Sequence, residues 1–220
     1  MATARRPEGI LFDLDGTLVD TVQARIDAWA VALEEAGIPA TRAQLEPMIG
    51  MDGRRLAREA SEAGGRHLGE DEAETIDRRS GELFDARNSD PRPLPGAREM
   101  LLGLDARGIT WAIATSSRRE QVAASIAALE LPAEPRIVDG SHVEHAKPAP
   151  DLLLLGAREL AIAPDACWYV GDSTWDMRAA IAAGMLPIGI LAGAAVGEAA
   201  LRDAGASVVL PTLRDLVVPA

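Results

Sequence analysis

The sequence predicts an α/β fold in which a doubly wound parallel sheet is interrupted, after its first strand, by an all-helical insert. Three observations carry this expectation. From Ala97 onward, short apolar runs alternate with segments of helical periodicity, the pattern of parallel strands joined by right-handed crossovers. Between Thr21 and Asp90 the periodicity is helical throughout, with no strand signal. The segment Pro91-Arg92-Pro93-Leu94-Pro95-Gly96 separates the two regimes.

Gly9-Ile10-Leu11-Phe12 is a short buried strand running into the polar loop Asp13-Leu14-Asp15-Gly16-Thr17. Ala28, Trp29, Val31, Ala32 and Leu33 share one face of a helix that stops at Gly37-Ile38-Pro39, and further helices are expected over 42–49, 54–63 and 71–87. The run Glu70-Asp71-Glu72-Ala73-Glu74 is read as a solvated helix start, where acidic groups suit the dipole. Beyond the prolines, helix 97–107 leads to strand 110–115, helix 119–129 to a short strand near Ile137, and a helix after Pro150 to strand 167–170. A helix from Trp175 then leads to strand 186–191, and one near 197–203 to strand 207–210.

The chain has 220 residues, 48% of them hydrophobic and 25% charged, the balance of a globular protein. A net charge of −12 speaks against a nucleic-acid or anionic-membrane binder. It leaves room for a small anionic substrate, because a metal ion reverses the sign of a local site. Cys167 is the single cysteine, expected as a buried small hydrophobe, and His67, His142 and His145 lack metal-ligand spacing. The uncharged stretch 179–197 is long enough to span a bilayer, but Gly184, Pro187, Gly189, Gly193 and Gly197 make it a helix end, a buried strand and a loop. With no signal peptide pattern, the cytoplasm is the expected compartment. Lys147 is the one lysine among 22 basic residues, and a compact ammonium serves where a flat guanidinium does not.

Ligands of open parallel sheets bind beyond the carboxyl ends of the strands. Four such ends carry polar residues here: Asp13 and Asp15; Thr115, Ser116 and Ser117; Lys147; and Asp172 and Ser173 with Asp176. Strand spacing would put the Asp13 and Asp15 side chains on one face, about 7 Å apart, able to address one substrate in different roles. Four carboxylates in one crevice call for a cation, and oxygen ligands favour magnesium.

Phe12-Asp13-Leu14-Asp15-Gly16-Thr17-Leu18-Val19-Asp20 resembles the first signature of the haloacid dehalogenase-like hydrolase superfamily. Ile113-Ala114-Thr115, Lys147-Pro148-Ala149-Pro150-Asp151, and Val170-Gly171-Asp172-Ser173 with Asp176 resemble the other three, in order. The resemblance implies a Rossmann-like doubly wound core at 1–20 and 92–220 with an inserted all-helical cap domain at 21–91, like the phosphoglycolate phosphatase and β-phosphoglucomutase branch. It implies a Mg²⁺-dependent phosphatase of a small phosphorylated metabolite, with phosphoglycolate and sugar phosphates as leading classes. Asp13 resembles the nucleophile that becomes an aspartyl phosphate, and Asp15 the general acid/base whose backbone carbonyl also meets the metal. Thr115 resembles the hydroxyl that holds the phosphoryl group, and Lys147 the neutralising ammonium. Asp13, Asp15 and Asp172 are the implied metal ligands. Asp176, beside Ser173, is a further ligand through water or an orienter of Lys147. Gly16, Thr17 and Ser116 would border the phosphate.

The cap would exclude water and read the leaving group, hinging near 19–21 and 92–95. Candidate readers are Arg25, Arg54, Arg55, Arg58 and Arg118, with Arg54 and Arg118 preferred for a second anionic group on the substrate. The mutase alternative loses ground because Arg25 stands where that branch has a histidine. The phosphonatase Schiff base needs a cap lysine, absent here, and Asp15 departs from the dehalogenases. A non-catalytic phosphate-binding protein is the other alternative, against which all the matched catalytic positions are intact. The chain is expected to work as a monomer or homodimer. Trp29, Trp111 and Trp168 are read as core or domain-interface packing, and Trp175 as core packing in preference to a contact with the cap.

Overall fold

The computed structural model describes residues 6–219, without the side chains of residues 120 and 142. Strands β1 (Gly9–Phe12), β2 (Thr110–Thr115), β3 (Ile137–Asp139), β4 (Cys167–Gly171), β5 (Leu186–Ile190) and β6 (Val208–Leu210) form one sheet in the order β3-β2-β1-β4-β5-β6. Every pairing is parallel. Between β1 and β2 come α1 (Val22–Glu35), α2 (Arg42–Leu45), α3 (Gly53–Ala63) and α4 (Glu70–Arg87). The remaining helices are α5 (Ala97–Ala106), α6 (Ala123–Ala128), α7 (Asp151–Leu160), α8 (Thr174–Ala183) and α9 (Glu198–Asp203).

The central strands read as apolar runs because both sheet faces are covered. Ile10 and Phe12 enter a cluster with Leu101 and Leu104 of α5, while Leu11 between them enters the opposite one with Leu153 of α7 and Ala180 of α8. From β1 the chain builds outward through β2 and β3, then returns to the other side of β1 for β4, β5 and β6. The switch point therefore lies between β1 and β4, where a crevice opens at their carboxyl ends.

The helical insert has its own apolar cluster, including Ile26, Trp29, Leu33, Leu45, Leu56 and Ile76. Its two connections run side by side: Asp20 N–H donates to Arg92 O (2.8 Å) and Leu94 N–H to Leu18 O (2.9 Å). Trp175 of α8 is buried in the insert's cluster and donates from Nε1 to Pro47 O (3.0 Å), so it joins insert to sheet as well as filling a core.

The expected helix over 42–49 stops at Leu45 and tightens into a 3₁₀ turn, Glu46–Met48, because Pro47 has no N–H to continue the α pattern. That over 119–129 begins with a 3₁₀ turn, Arg119–Gln121, where Gln121 Oε1 accepts from the Arg118 N–H. The stretch 179–197 resolves into the end of α8, β5 and a loop, and no described helix is long and apolar enough to cross a membrane. The acidic run at residue 70 does open a helix.

Candidate active site

Asp13 is the first residue beyond β1, its N–H held by Val170 O (2.8 Å). Asp172 is the first beyond β4, and Asp176 lies in the first turn of α8. Lys147 enters from the loop between β3 and α7 and is buried. Its Nζ lies 2.7 Å from both Asp13 Oδ1 and Asp176 Oδ1. The Tyr169 hydroxyl reaches the same Asp176 oxygen (3.1 Å), while the Ser173 N–H and Oγ both donate to Asp176 Oδ2 (2.9 and 2.6 Å). A carboxylate has about four acceptor positions, and all those of Asp176 are engaged. Between the two earlier roles for Asp176, this arrangement favours orienting Lys147.

Asp13, Asp172 and Asp176 present carboxylate oxygens within 4.8 Å of one another. Burial, and then repulsion from Asp176 and Asp15 working against Lys147, pushes the Asp13 carboxyl up to about 7. Burial and the neighbouring Asp176 and Asp13 push Asp172 well above the usual range. Burial opposes the charged form of Asp176 too, but Lys147 and Ser173 outweigh it and hold its carboxyl low. One ammonium among three buried carboxylates leaves excess negative charge on hard oxygen donors, which fits a small divalent cation. Asp13 and Asp172 have the better-placed oxygens for it. The side chain of Asp15 stands outside this cluster.

The turn between Asp13 and Thr17 is shaped around Asp172. Gly16 has φ +83°, and a Cβ there would lie 2.3 Å from Asp172 Oδ2. Thr17 Oγ1 donates to Asp172 Oδ1 (2.9 Å).

The expectation that Asp13 and Asp15 share a strand face is not met, because the strand ends at Phe12 and the chain turns. Asp13 bonds to Lys147, whereas Asp15 accepts from Thr21 Oγ1 (2.6 Å), Ser117 Oγ (2.6 Å) and Arg25 Nη2 (2.9 Å). Burial alone would raise the Asp15 carboxyl, but Arg25, Ser117 and Thr21 together hold it below its usual value. Arg25 also donates to Ser117 Oγ (2.8 Å) and lies 3.6 Å from the centre of the Phe84 ring.

A cavity of about 250 Å³ separates the sheet end from the insert, lined by both aspartates of the first loop, Lys147, Asp172 and Thr115. Thr115 is buried, its Oγ1 accepting from the Ser117 N–H (3.1 Å). Ser116 Oγ is buried with no hydrogen-bond partner among the described residues. Arg54 and Arg118 also line the cavity, but neither offers a bare guanidinium. Arg118 Nη2 donates to Glu74 Oε1 (2.8 Å) and Asp77 Oδ2 (3.0 Å), and Arg54 lies 3.4 Å from Asp52 and 3.9 Å from Glu74. Arg55 and Arg58 do not line it; they pair with Glu59 and Glu70. Arg25 is taken by Asp15. His145 pairs with Asp151, His67 lies near Glu62, and the His142 side chain is outside the described residues.

Four residues of the site escaped the sequence reading, Thr21, Tyr169, Glu74 and Asp77, while Ser117 was read among the polar strand ends without its bond to Asp15. Glu74 and Asp77 stand three apart on one helix, a spacing that puts them on one face and could have raised a question about the acidic run.

A family described as haloacid dehalogenase-like hydrolase matches residues 10–190. Hexitol phosphatase A of Escherichia coli K12 is 34% identical over 191 residues, covering 81% of this chain and 81% of its own. A phosphoglycolate phosphatase of Xanthomonas campestris pv. campestris is 30% identical over 199 residues, covering 88% and 87%. The crystal structure of a hydrolase from Pseudomonas syringae superposes with a TM-score of 0.88 at 32% identity, covering 94% of each chain.

Proposed function

The chain belongs to the haloacid dehalogenase-like hydrolase family, and from that premise we propose that it is a Mg²⁺-dependent phosphatase acting on a small phosphorylated metabolite through an aspartyl phosphate. The observation that carries this is the placement of Lys147, 2.7 Å from Asp13 at the switch point and held there by Asp176. The residue-by-residue roles are those the family resemblance implies. Residues 1–20 and 92–220 form the core in this reading, and residues 21–91 the cap that closes over the substrate.

With Oδ1 of Asp13 bonded to Lys147, Oδ2 is the oxygen offered to phosphorus. Its attack forms the aspartyl oxygen–phosphorus bond as the bond to the leaving oxygen breaks, and Asp15, having first taken a proton from solvent, passes it to that oxygen and is left as the carboxylate. In the second displacement a water attacks phosphorus, Asp15 takes its proton, and the Asp13 carboxylate is released with inorganic phosphate. The carboxylate form of Asp15 that this step requires is the one Arg25, Thr21 and Ser117 hold. Thr115 and Ser116 would satisfy phosphoryl oxygens, a reading supported by their lining the cavity and by the buried Ser116 hydroxyl having no partner among the described residues. Asp13 and Asp172 would hold the cation with the Asp15 carbonyl, and a bound Mg²⁺ would supply charge neutralisation at the phosphoryl group.

The test is phosphate release from a panel of phosphate esters with and without Mg²⁺, beside Asp13→Asn. Metal-dependent release lost in the variant is expected. Release that survives Asp13→Asn would overturn the assignment of the nucleophile. Conversion of a sugar phosphate to its isomer without net phosphate release would move the protein to the mutases.

A further inference from the structure

The two named relatives act on esters of opposite character. A hexitol phosphate carries a neutral polyol beyond its phosphoryl group, whereas phosphoglycolate carries a carboxylate there. The far end of the cavity bears on which kind this chain accepts. Resting on the phosphatase reading above, we propose that Glu74 and Asp77 are specificity-determining residues that make the leaving-group end select a neutral, hydroxyl-rich moiety and reject an anionic one.

The argument is one of charge and of hydrogen-bond supply. Seven carboxylates and four cationic side chains line the cavity. At the inner end Lys147 is committed to Asp13 and Asp176. At the outer end each guanidinium is committed too: Arg25 to Asp15, Arg118 to Glu74 and Asp77, and Arg54 between Asp52 and Glu74. A substrate carboxylate seeking Arg118 approaches a guanidinium whose Nη2 already carries two carboxylates, at 2.8 and 3.0 Å, and must sit beside both. Like charges brought together in a half-enclosed site repel, which disfavours the anion. Asp77 is already in crowded acidic company. Burial, and then Glu74 and Asp52, push its carboxyl up against the opposing pull of Arg118.

A polyol meets the opposite situation. Its hydroxyls donate to carboxylate oxygens and accept from guanidinium N–H groups, so it can join the Glu74–Arg118–Asp77 network without breaking an ion pair. Ser80 and Gln121 on the same wall add neutral polar groups, and Trp29 and Met51 supply apolar surface for carbon–hydrogen faces. The cavity volume of about 250 Å³ suits a small ligand of this kind.

The experiment compares kcat/KM for sorbitol 6-phosphate, 2-phosphoglycolate and p-nitrophenyl phosphate, in the wild type, Glu74→Gln, and Glu74→Gln with Asp77→Asn. The wild type is expected to favour sorbitol 6-phosphate over 2-phosphoglycolate by at least about tenfold. The double variant should lower KM for 2-phosphoglycolate and narrow that ratio by about tenfold or more. A wild type that prefers 2-phosphoglycolate overturns the inference, as does a ratio that neither variant moves. Glu74→Gln is a half-exposed substitution on a helix surface and provides the reading should the double variant fold poorly. Asp13-dependent turnover of p-nitrophenyl phosphate with the wrong preference sinks the specificity assignment alone. Absence of Asp13-dependent turnover of every ester sinks the phosphatase reading and this inference with it.

Discussion

Arg25 of the insert's first helix binds Asp15 of the first core loop, Nη2 to Oδ2 at 2.9 Å, and through Ser117 Oγ it ties in the loop after β2 as well. The guanidinium is fixed on its other side by the Phe84 ring. A residue of the insert therefore holds the proton carrier assigned to the core. Arg25→Ala removes the link while leaving Thr21 and Ser117 in place. The expected result is a fall in kcat of about 10²-fold, with KM for a small ester changed far less, because acid–base assistance rather than binding is lost. Arg25→Lys should recover only part, lacking the planar fork. Equal loss in KM and none in kcat would instead make Arg25 a substrate-binding group.

Lys147 is buried between two carboxylates, each 2.7 Å away, with Tyr169 beside them. Burial alone would depress its ammonium, but Asp13 and Asp176 reverse the direction and keep it charged. Lys147→Met leaves both carboxylates uncompensated, and a denaturant midpoint should report a loss of about 3–5 kcal/mol. Adding Asp176→Asn to Lys147→Met should restore part of that stability without restoring activity. Lys147→Arg keeps the charge but cannot seat a forked guanidinium in a space built around one nitrogen, so activity should still be lost. A fully active arginine variant would show that charge alone matters there.

Gly16 sits at φ +83° with no room for a Cβ beside Asp172 Oδ2. Gly16→Ala strains the turn, by about 1–3 kcal/mol, and pushes Asp172 from its place. The variant should keep its far-UV circular dichroism, unfold at lower temperature, and lose most of its metal-supported phosphate release. An alanine variant with unchanged metal response would mean that the turn relaxes away from Asp172.

Most of the architecture was legible because it rests on local rules. Apolar runs such as Gly9–Phe12 and Cys167–Val170 mark strands buried on both faces, and the prolines at 91, 93 and 95 mark the return to the core. The residues brought together at the strand ends were legible from their unusual chemistry and their order. What stayed hidden depends on tertiary partners. Glu74 looks like a solvated helix start until Arg118, 44 residues on, is placed against it. Arg25 looks like any helical arginine, and only the approach of α1 to the first loop makes it a partner of Asp15. Trp175 likewise joins the insert's core through a contact 128 residues back, at Pro47. Asp13 and Asp15 part company because the strand stops one residue before the motif's first aspartate, a boundary that periodicity resolves poorly.

Cys167 begins β4 and is buried, and burial, aided by Glu8 and Asp165, raises its thiol to about 11 from an ordinary 9.0. The thiolate is the reactive form, so native protein at pH 8 should not react with iodoacetamide, while protein unfolded in urea should react readily. The native thiol holds its proton up to about pH 11, whereas the unfolded one releases it near 9. Stability should therefore be unaffected by this group below pH 9 and decline between pH 9 and 11. Cys167→Ala should flatten that decline. Rapid labelling of the folded protein at pH 8 would show that β4 opens or that its first residue is accessible.

The carboxylates of Asp13, Asp172 and Asp176 crowd one another with Lys147 as their only described cationic partner, so charge addition and charge removal should act with distinct signatures. Mg²⁺ at about 100 times its Kd should stabilise the wild type by about 2.7 kcal/mol, read as a rise in melting temperature. Asp172→Asn removes a buried carboxyl whose charged form burial, Asp176 and Asp13 disfavour, so the metal-free variant should melt at or above the metal-free wild type. The same substitution takes away a ligand, so the rise on adding Mg²⁺ should largely vanish, and activity with it. This combination separates a metal ligand from a structural carboxylate, whose loss would lower the metal-free melting temperature and leave the Mg²⁺ response intact. A wild type whose melting temperature ignores Mg²⁺ would remove the cation from this cluster altogether.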